Sequence, residues 1–324
     1  MKFLLTCTAL LVAIFSIWWG MHLDPGVGSF TNQVSTTTRY GDRNLTHLST
    51  IGEVNLSLLD DSSGIEYVPT TDTLYIVHNG RTGNNSEIDE VTKEGALLRQ
   101  LICTTCGDIE GITLVSSVAS TTAPGVFDNT FILSSENDTA NARIYRVVIA
   151  STGTTAVNTD DYFDTGITHG LNRGLEGISY NPASGVLYVA REKTSPSLFE
   201  VTLRASHSTI VNQICTNLDF STIATDFSEV EYHNGVLYVL TDENNRLIPL
   251  DITSTSTCKY VDSDGDNGGV SSTVIDTDDF LNALIAGSPR QPEGVTWDAT
   301  GDYLYVLAEA DFLKKYRTTT FTTR

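Results

Sequence analysis

The sequence predicts an all-β chain: a single five-bladed β-propeller, with a six-bladed ring as the alternative. Three observations predict it. A hairpin with a carboxylate or hydroxyl at its open end recurs five times. Its copies are spaced as one four-stranded blade plus variable loops would require. No long helical periodicity appears after the first residues, although 278–286 could form one short helix.

The third copy shows the pattern best. Ile178 and Tyr180 alternate on one face, 181–185 supplies turn residues, and Leu187 and Val189 alternate on the way back. In an antiparallel pair the start of one strand lies beside the end of the other, so Glu176 and Glu192 should meet. The other copies open at Ser63, Glu110, Ser228 and Glu293 and close at Asn79, Glu136, Asp242 and Glu309. The opening residues (63, 110, 176, 228, 293) lie 47, 66, 52 and 65 positions apart. The second hairpin is the longest and reads as carrying an inserted loop over 118–129. The fourth is the shortest, and Asn234-Gly235 tightens its turn.

From the start of the chain, Met1-Lys2 leads into an apolar run to about Trp19. Residues 1–22 read as a signal peptide or an uncleaved membrane anchor, either of which exports the rest. Residues 23–48 are rich in Gly, Thr and Asn and read as a linker, leaving 49–324 for the propeller. Residues 53–59 are a spare strand ahead of the first hairpin. Further strand-like runs follow each hairpin: 86–91 and 97–102, then 142–149, then 197–201 and 210–214, then 246–250, then 312–317. The fifth blade therefore lacks an outer strand. The spare strand should fill that place, closing the ring and removing an open sheet edge.

Composition sets limits on partners. The formal net charge of −21 argues against nucleic acid or an anionic membrane surface, leaving the N-terminal segment as the membrane contact. Cys7 falls in the leader. Cys103, Cys106, Cys215 and Cys258 form an even set in an exported chain, which implies disulfides. Of three connectivities, Cys103–Cys106 with Cys215–Cys258 is favoured, because the latter two sit in outer strands of successive repeats. A zinc site on these cysteines is disfavoured by the lone CxxC and the lack of a nearby His pair. Four Asn-x-Ser/Thr sequons (Asn44, Asn55, Asn84, Asn137) matter only in a eukaryotic secretory pathway.

The innermost strand of each blade lines a propeller's channel, so the opening and closing positions should gather at one mouth. Seven of them are carboxylates: Glu110, Glu136, Glu176, Glu192, Asp242, Glu293 and Glu309. Like charges that close are protonated, paired with bases, or bridged by a cation. An all-oxygen set suits calcium rather than zinc or copper. The alternative role is structural, with each carboxylate accepting backbone N–H groups of the next blade. A weaker metal loop is the run holding Asp262, Asp264 and Asp266. It departs from the EF-hand pattern at Asn267, where the turn glycine belongs, and at Thr273, where the bidentate Glu belongs. Arg173, Arg191 and Lys193, with His78 and His169 nearby, could hold an anionic ligand over a metal or simply pair with the carboxylates. No nucleophile elbow, Ser-His-Asp order or HExxH motif is present.

Six short motifs carry a family resemblance: Asp61-Ser62-Ser63-Gly64-Ile65, Asp108-Ile109-Glu110-Gly111-Ile112, Gly174-Leu175-Glu176-Gly177-Ile178, Val189-Ala190-Arg191-Glu192-Lys193, Leu240-Thr241-Asp242-Glu243-Asn244 and Gln291-Pro292-Glu293-Gly294-Val295. Their order over about residues 50–318 resembles the SdiA-regulated domain family. The resemblance implies a five-bladed propeller distantly like NHL repeats, a bound calcium, and export behind an N-terminal membrane segment. It implies no particular activity. Carried over, Glu110, Glu136, Glu176, Glu192, Glu293 and Glu309 become calcium-site candidates. The chain departs from the pattern at Glu229, where a glycine belongs, at Asn79, and in the insertions at 118–129 and 255–288.

These readings together suggest an exported, monomeric, calcium-binding propeller of the cell envelope or surface. It would act without catalysis, taking a protein or a small anionic ligand at the channel mouth. The alternative is a calcium-dependent hydrolase, a phytase-like phosphoesterase or a lactonase. A purely structural surface protein is the third possibility.

Overall fold

A computed structural model of the chain describes residues 47–319 apart from 57–60, 80–85, 104–105, 122–123, 137–140, 154–160, 169–173, 194, 223, 244–245, 255–256, 261–274, 277–290 and 309–311. The expected leader, most of the linker, the helix at 278–286 and the loop holding Asp262, Asp264 and Asp266 all lie outside the described residues, as do Glu309, Arg173 and His169.

Five antiparallel sheets form a ring, so the chain is a five-bladed β-propeller and the six-bladed alternative falls. The first strand, β1 (His47–Asn55), belongs to the last blade. Blade 1 is β2 (Ser62–Val68), β3 (Thr73–Asn79), β4 (Ser86–Thr92) and β5 (Leu97–Cys103). Blade 2 is β6 (Ile109–Ala119), β7 (Phe127–Ser135), β8 (Asn141–Ala150) and β9 (Tyr162–Thr168). Blade 3 is β10 (Leu175–Asn181), β11 (Val186–Arg191), β12 (Ser197–Leu203) and β13 (Thr209–Ile214). Blade 4 is β14 (Glu229–His233), β15 (Val236–Thr241), β16 (Arg246–Ser254) and β17 (Thr257–Tyr260), with the short β18 (Ile275–Asp276) paired to β16. Blade 5 is β19 (Pro292–Trp297), β20 (Tyr303–Ala308), β21 (Phe312–Thr319) and β1.

Closure works as the sequence suggests. Strand β1 pairs antiparallel with β21, from His47 opposite Thr319 to Asn55 opposite Phe312. It begins earlier than the expected 53–59 and shares only 53–55 with it. Leu56, just beyond, is buried with Leu307 and Leu313 in the seam between blades 5 and 1. The innermost strands meet in cyclic order, β2 on β6, β6 on β10, β10 on β14, β14 on β19 and β19 on β2.

The insertion expected at 118–129 is not a loop. Strands β6 and β7 run on as a hairpin, with Val118 opposite Asp128 and Ala119 opposite Phe127, so only 120–126 connects them. Alternating exposure along this extension is what a solvated ribbon gives. At the shortest hairpin, Asn234 (φ 51) and Gly235 (φ 90) both take left-handed backbone, as a two-residue turn requires.

The core is distributed between blades rather than placed at the hub. The Tyr75 and Phe131 rings pack at a tilt, 4.8 Å between centroids, between blades 1 and 2. Leu237, Phe227 and Ile248 pack with Leu198 between blades 3 and 4. Both expected disulfides are present: Cys103–Cys106 within the end of blade 1, and Cys215–Cys258 joining the outer edges of blades 3 and 4. Disulfides persist in oxidising compartments, so the two bridges suit an extracytoplasmic environment.

Candidate metal centre at the channel mouth

Glycine sets how closely the blades approach. A Cβ on Gly64 would sit 2.6 Å from the Glu110 carbonyl oxygen, one on Gly111 2.5 Å from the Glu176 carbonyl oxygen, and one on Gly177 2.3 Å from Val230 N. On Gly294 it would meet the Ser63 carbonyl oxygen at 2.9 Å. Each glycine thus seats the next blade's innermost strand against its own. Because the glycine follows the opening residue, this contact also draws the opening side chains together.

Four of the five opening residues gather at one mouth. A cavity of about 300 Å³ is lined by Ser63, Glu110, Glu136, Glu176, Glu192, Asp242 and Glu293, together with Asp61, Ser62, Asp108, Lys193 and Gln291. Six of the seven proposed carboxylates are here, and Glu309 is outside the described residues. Oxygens of Asp108, Glu110 and Glu136 all lie within 4.8 Å of one another, and so do those of Glu136, Glu176 and Glu192. Glu136 is common to both groups.

Burial and crowding raise their proton affinity. Glu110 is pushed up to about 8, first by desolvation, then by Asp108, with the Ser63 hydroxyl partly offsetting the rise. Glu136 is raised to about 7 by burial and by Glu192 and Asp108. Glu176, 8 % exposed, is held well above the usual carboxylate range by burial and then by Glu110, Glu192, Glu136 and Glu293. Burial also raises Glu192, although its ion pair with Lys193 opposes this. Lys193 also opposes the rise at Glu136, more weakly than burial and the neighbouring carboxylates promote it. Gln291 donates an amide hydrogen bond of 2.8 Å to Asp242 Oδ2.

The remaining proposed residues separate by place. Lys193 is on the cavity wall. Arg191 turns away from it, donating from Nη2 to the Ser195 carbonyl and to Ser197 Oγ, both at 3.1 Å. Ser228, an expected ring position, donates instead to the Pro292 carbonyl oxygen at 2.8 Å and does not line the cavity.

Sequence reasoning missed two tiers. Asp61, Asp108 and Gln291 stand two residues before the opening positions 63, 110 and 293, a repeat visible in the motifs. Three residues after the openings come Glu66, Thr113, Ser179, Glu231 and Thr296. Here lie three inter-blade hydrogen bonds to main-chain N–H groups. Tyr180 N donates to Thr113 Oγ1 at 3.1 Å, Tyr232 N to Ser179 Oγ at 2.8 Å, and Tyr67 N to Thr296 Oγ1 at 3.3 Å. Ser179 Oγ in turn donates to Glu231 at 3.0 Å. Glu229, 1 % exposed, accepts from Ile178 N and Val230 N, both at 2.9 Å, and burial holds it well above its usual range. Hydroxyls and Glu229 thus staple this tier, while Ser134 Oγ, donating to the Glu176 carbonyl oxygen, and Ser228 staple the tier of the opening residues.

The fold and its hub define a class: a five-bladed propeller with an acidic, oxygen-lined channel mouth. The chain belongs to the SdiA-regulated family, whose model matches residues 46–317. Among solved structures, glutaminyl cyclase from Myxococcus xanthus is similar at 10% identity and TM-score 0.49, covering 91% of this chain and 100% of that one. The gluconolactonase XC5397 from Xanthomonas campestris is similar at 9% identity and TM-score 0.46, covering 91% and 99%. A nidogen/laminin complex matches at 13% identity and TM-score 0.41, covering 76% of this chain and 72% of that one. These similarities carry no activity across to this chain.

Proposed function

We propose that the chain is an exported propeller that holds a calcium ion at its channel mouth and uses that centre, without catalysis, to dock a small anionic ligand or a partner protein. One observation carries the reading: two overlapping sets of carboxylate oxygens converge on one cavity, with Lys193 the one basic lining residue among the described residues. Calcium takes six to eight oxygen ligands in loose geometry. Glu110, Glu136, Glu176 and Glu192 would hold it, with Asp108, Glu293 and Ser63 as further oxygen donors. A bound dication supplies the positive charge that the site lacks and leaves a positive pole for an anionic group. Lys193 at the wall would orient that group.

Glu176→Gln tests the centre. Burial and the surrounding carboxylates favour the neutral form of Glu176 when no metal is bound, so a neutral amide of the same shape should leave the metal-free melting temperature nearly unchanged. The rise in melting temperature on adding calcium should be lost. In the native protein that rise corresponds to about 2.7 kcal/mol at a hundredfold excess over Kd. An undiminished calcium response in Glu176→Gln would move the ion elsewhere.

Protons should compete with the ion. Glu110 and Glu136 have folded-state values raised to about 8 and about 7 from 4.5. Their contribution to metal-free stability is complete below about 4.5 and is lost as pH rises through 7 to 8. Calcium should therefore raise the melting temperature more at about pH 8.5 than at about pH 6. Differential scanning calorimetry with and without chelator reads both arms.

A calcium-dependent hydrolase is the second reading, favoured by the partial exposure of Glu110, Glu136 and Glu192, which leaves room for a water on the ion. Turnover of lactones or phosphomonoesters that needs calcium and fails in Glu176→Gln would replace the binding role with this one.

A further inference from the structure

We propose that His78, Glu87 and Asp89 form a second metal site, closed to solvent in the seam between blades 1 and 5, that takes a transition-metal dication of the zinc type. The three lie on one face of blade 1. His78 on β3 stands directly between Ser62 on β2 and Glu87 on β4, and directly opposed residues of an antiparallel ladder share a face. Asp89 is two residues along β4 from Glu87, so it projects to the same side. Ile76, opposite Asp89, marks which side this is, since it packs with Leu307 and Leu313 of blade 5.

Burial is nearly complete: His78 and Asp89 are 0 % exposed, Ser62 2 % and Glu87 4 %. His78 Nε2 lies 3.5 Å from Asp89 Oδ2 and 3.9 Å from Glu87 Oε2. One donor atom from each residue lies within 4.8 Å of the others. Gln100, opposite Asp89 on β5, donates its amide to Glu87 Oε2 and fixes that carboxylate.

Asp89 is the second, independent observation. Among the described residues neither of its carboxylate oxygens has a hydrogen-bond partner, and the Ser62 hydroxyl has none either. A fully buried carboxylate with both oxygens unsatisfied is costly unless a cation meets it. Among the described residues two carboxylates face one imidazole in this otherwise apolar seam, a donor set that carries more acidic than basic groups. A dication suits that set. Ligand atoms about 2.1 Å from a tetrahedral ion are about 3.4 Å apart, close to the two separations from Nε2. The imidazole selects against calcium, and the mixed nitrogen and oxygen set suits zinc or cobalt. Ser62 offers a fourth oxygen on the same face. Enclosure makes the site structural, a clamp between strands β2, β3 and β4.

The test uses the full chain, freed of metal by chelator and then saturated with calcium so that the mouth carboxylates are occupied. Zinc is titrated in while melting is followed, and elemental analysis after gel filtration gives the stoichiometry. One retained zinc per chain is expected, with a rise in melting temperature of about 5 °C at a hundredfold excess over Kd. Cobalt(II) in its place should give the visible bands of a tetrahedral ion. Asp89→Asn should lose the bound zinc while keeping the calcium response. No retained zinc and no cobalt bands in the native protein would overturn the proposal and leave a buried ion pair. Zinc retained unchanged by a folded Asp89→Asn variant would overturn it as well. The cobalt spectrum of the native chain decides the question even if that variant does not fold.

Discussion

Replacing Gly177 with alanine is expected to destabilise the propeller by about 3 kcal/mol or more, the upper range for overpacking a tight contact. The new methyl would lie 2.3 Å from Val230 N and 2.4 Å from Glu229 Cα, both main-chain atoms that no rotamer change can move aside. It would also press on Glu229 Oε1 at 2.3 Å, the acceptor for Ile178 N and Val230 N. Relief requires blades 3 and 4 to separate, which breaks the staple from Tyr232 N to Ser179 Oγ next to it. Urea denaturation measures the loss. Gly235→Ala is an informative contrast, because nothing lies within 4 Å of a Cβ there. Its cost should come only from the left-handed backbone (φ 90) that glycine tolerates. A Gly177→Ala chain as stable as the native one would mean the blades do not meet through their glycines.

The second large effect is expected from removing the Cys215–Cys258 bridge. It spans 43 positions of sequence, and closing a loop of that size in the unfolded chain is worth about 4 kcal/mol. Cys103–Cys106 spans 3 and should be worth only about 1.5 kcal/mol. Cys215→Ser with Cys258→Ser should therefore lower the melting temperature far more than Cys103→Ser with Cys106→Ser. Asn217 limits the damage locally. Its side chain donates to the Cys258 carbonyl oxygen and accepts from Cys258 N, both at 2.9 Å, so the two blade edges stay in register without the sulfurs. Equal losses from the two double variants would contradict the loop-closure account.

Much of this architecture can be read along the chain because a propeller repeats its chemistry at fixed positions. Glu176 and Glu192 meet since both ends of one hairpin are set by a short turn, and that logic needs no tertiary information. The ring of glycines was visible as letters, yet their purpose depends on the neighbouring blade, which only coordinates supply. The inserted run at 118–129 was misread because a ribbon that leaves the sheet loses its apolar alternation and then resembles a loop. Asp61, Asp108 and Gln291 escaped notice as cavity residues because they precede the strands, where the two-residue period gives no direction. The fate of Arg191 was equally hidden: its guanidinium lies 5.6 Å from the Phe199 ring centre, a partner on the adjacent strand. The trio of His78, Glu87 and Asp89 was invisible for another reason. It occurs in one blade, so no internal repeat points to it.

The pairing of β1 with β21 has a consequence for how the chain matures. His47 sits opposite Thr319, so the wheel cannot lock until nearly the whole domain has been synthesised. Before that moment four complete blades can only stack as an open arc, and such long-range pairing is slow. Late closure therefore leaves both ends of the arc open to pairing with a second chain while synthesis is under way.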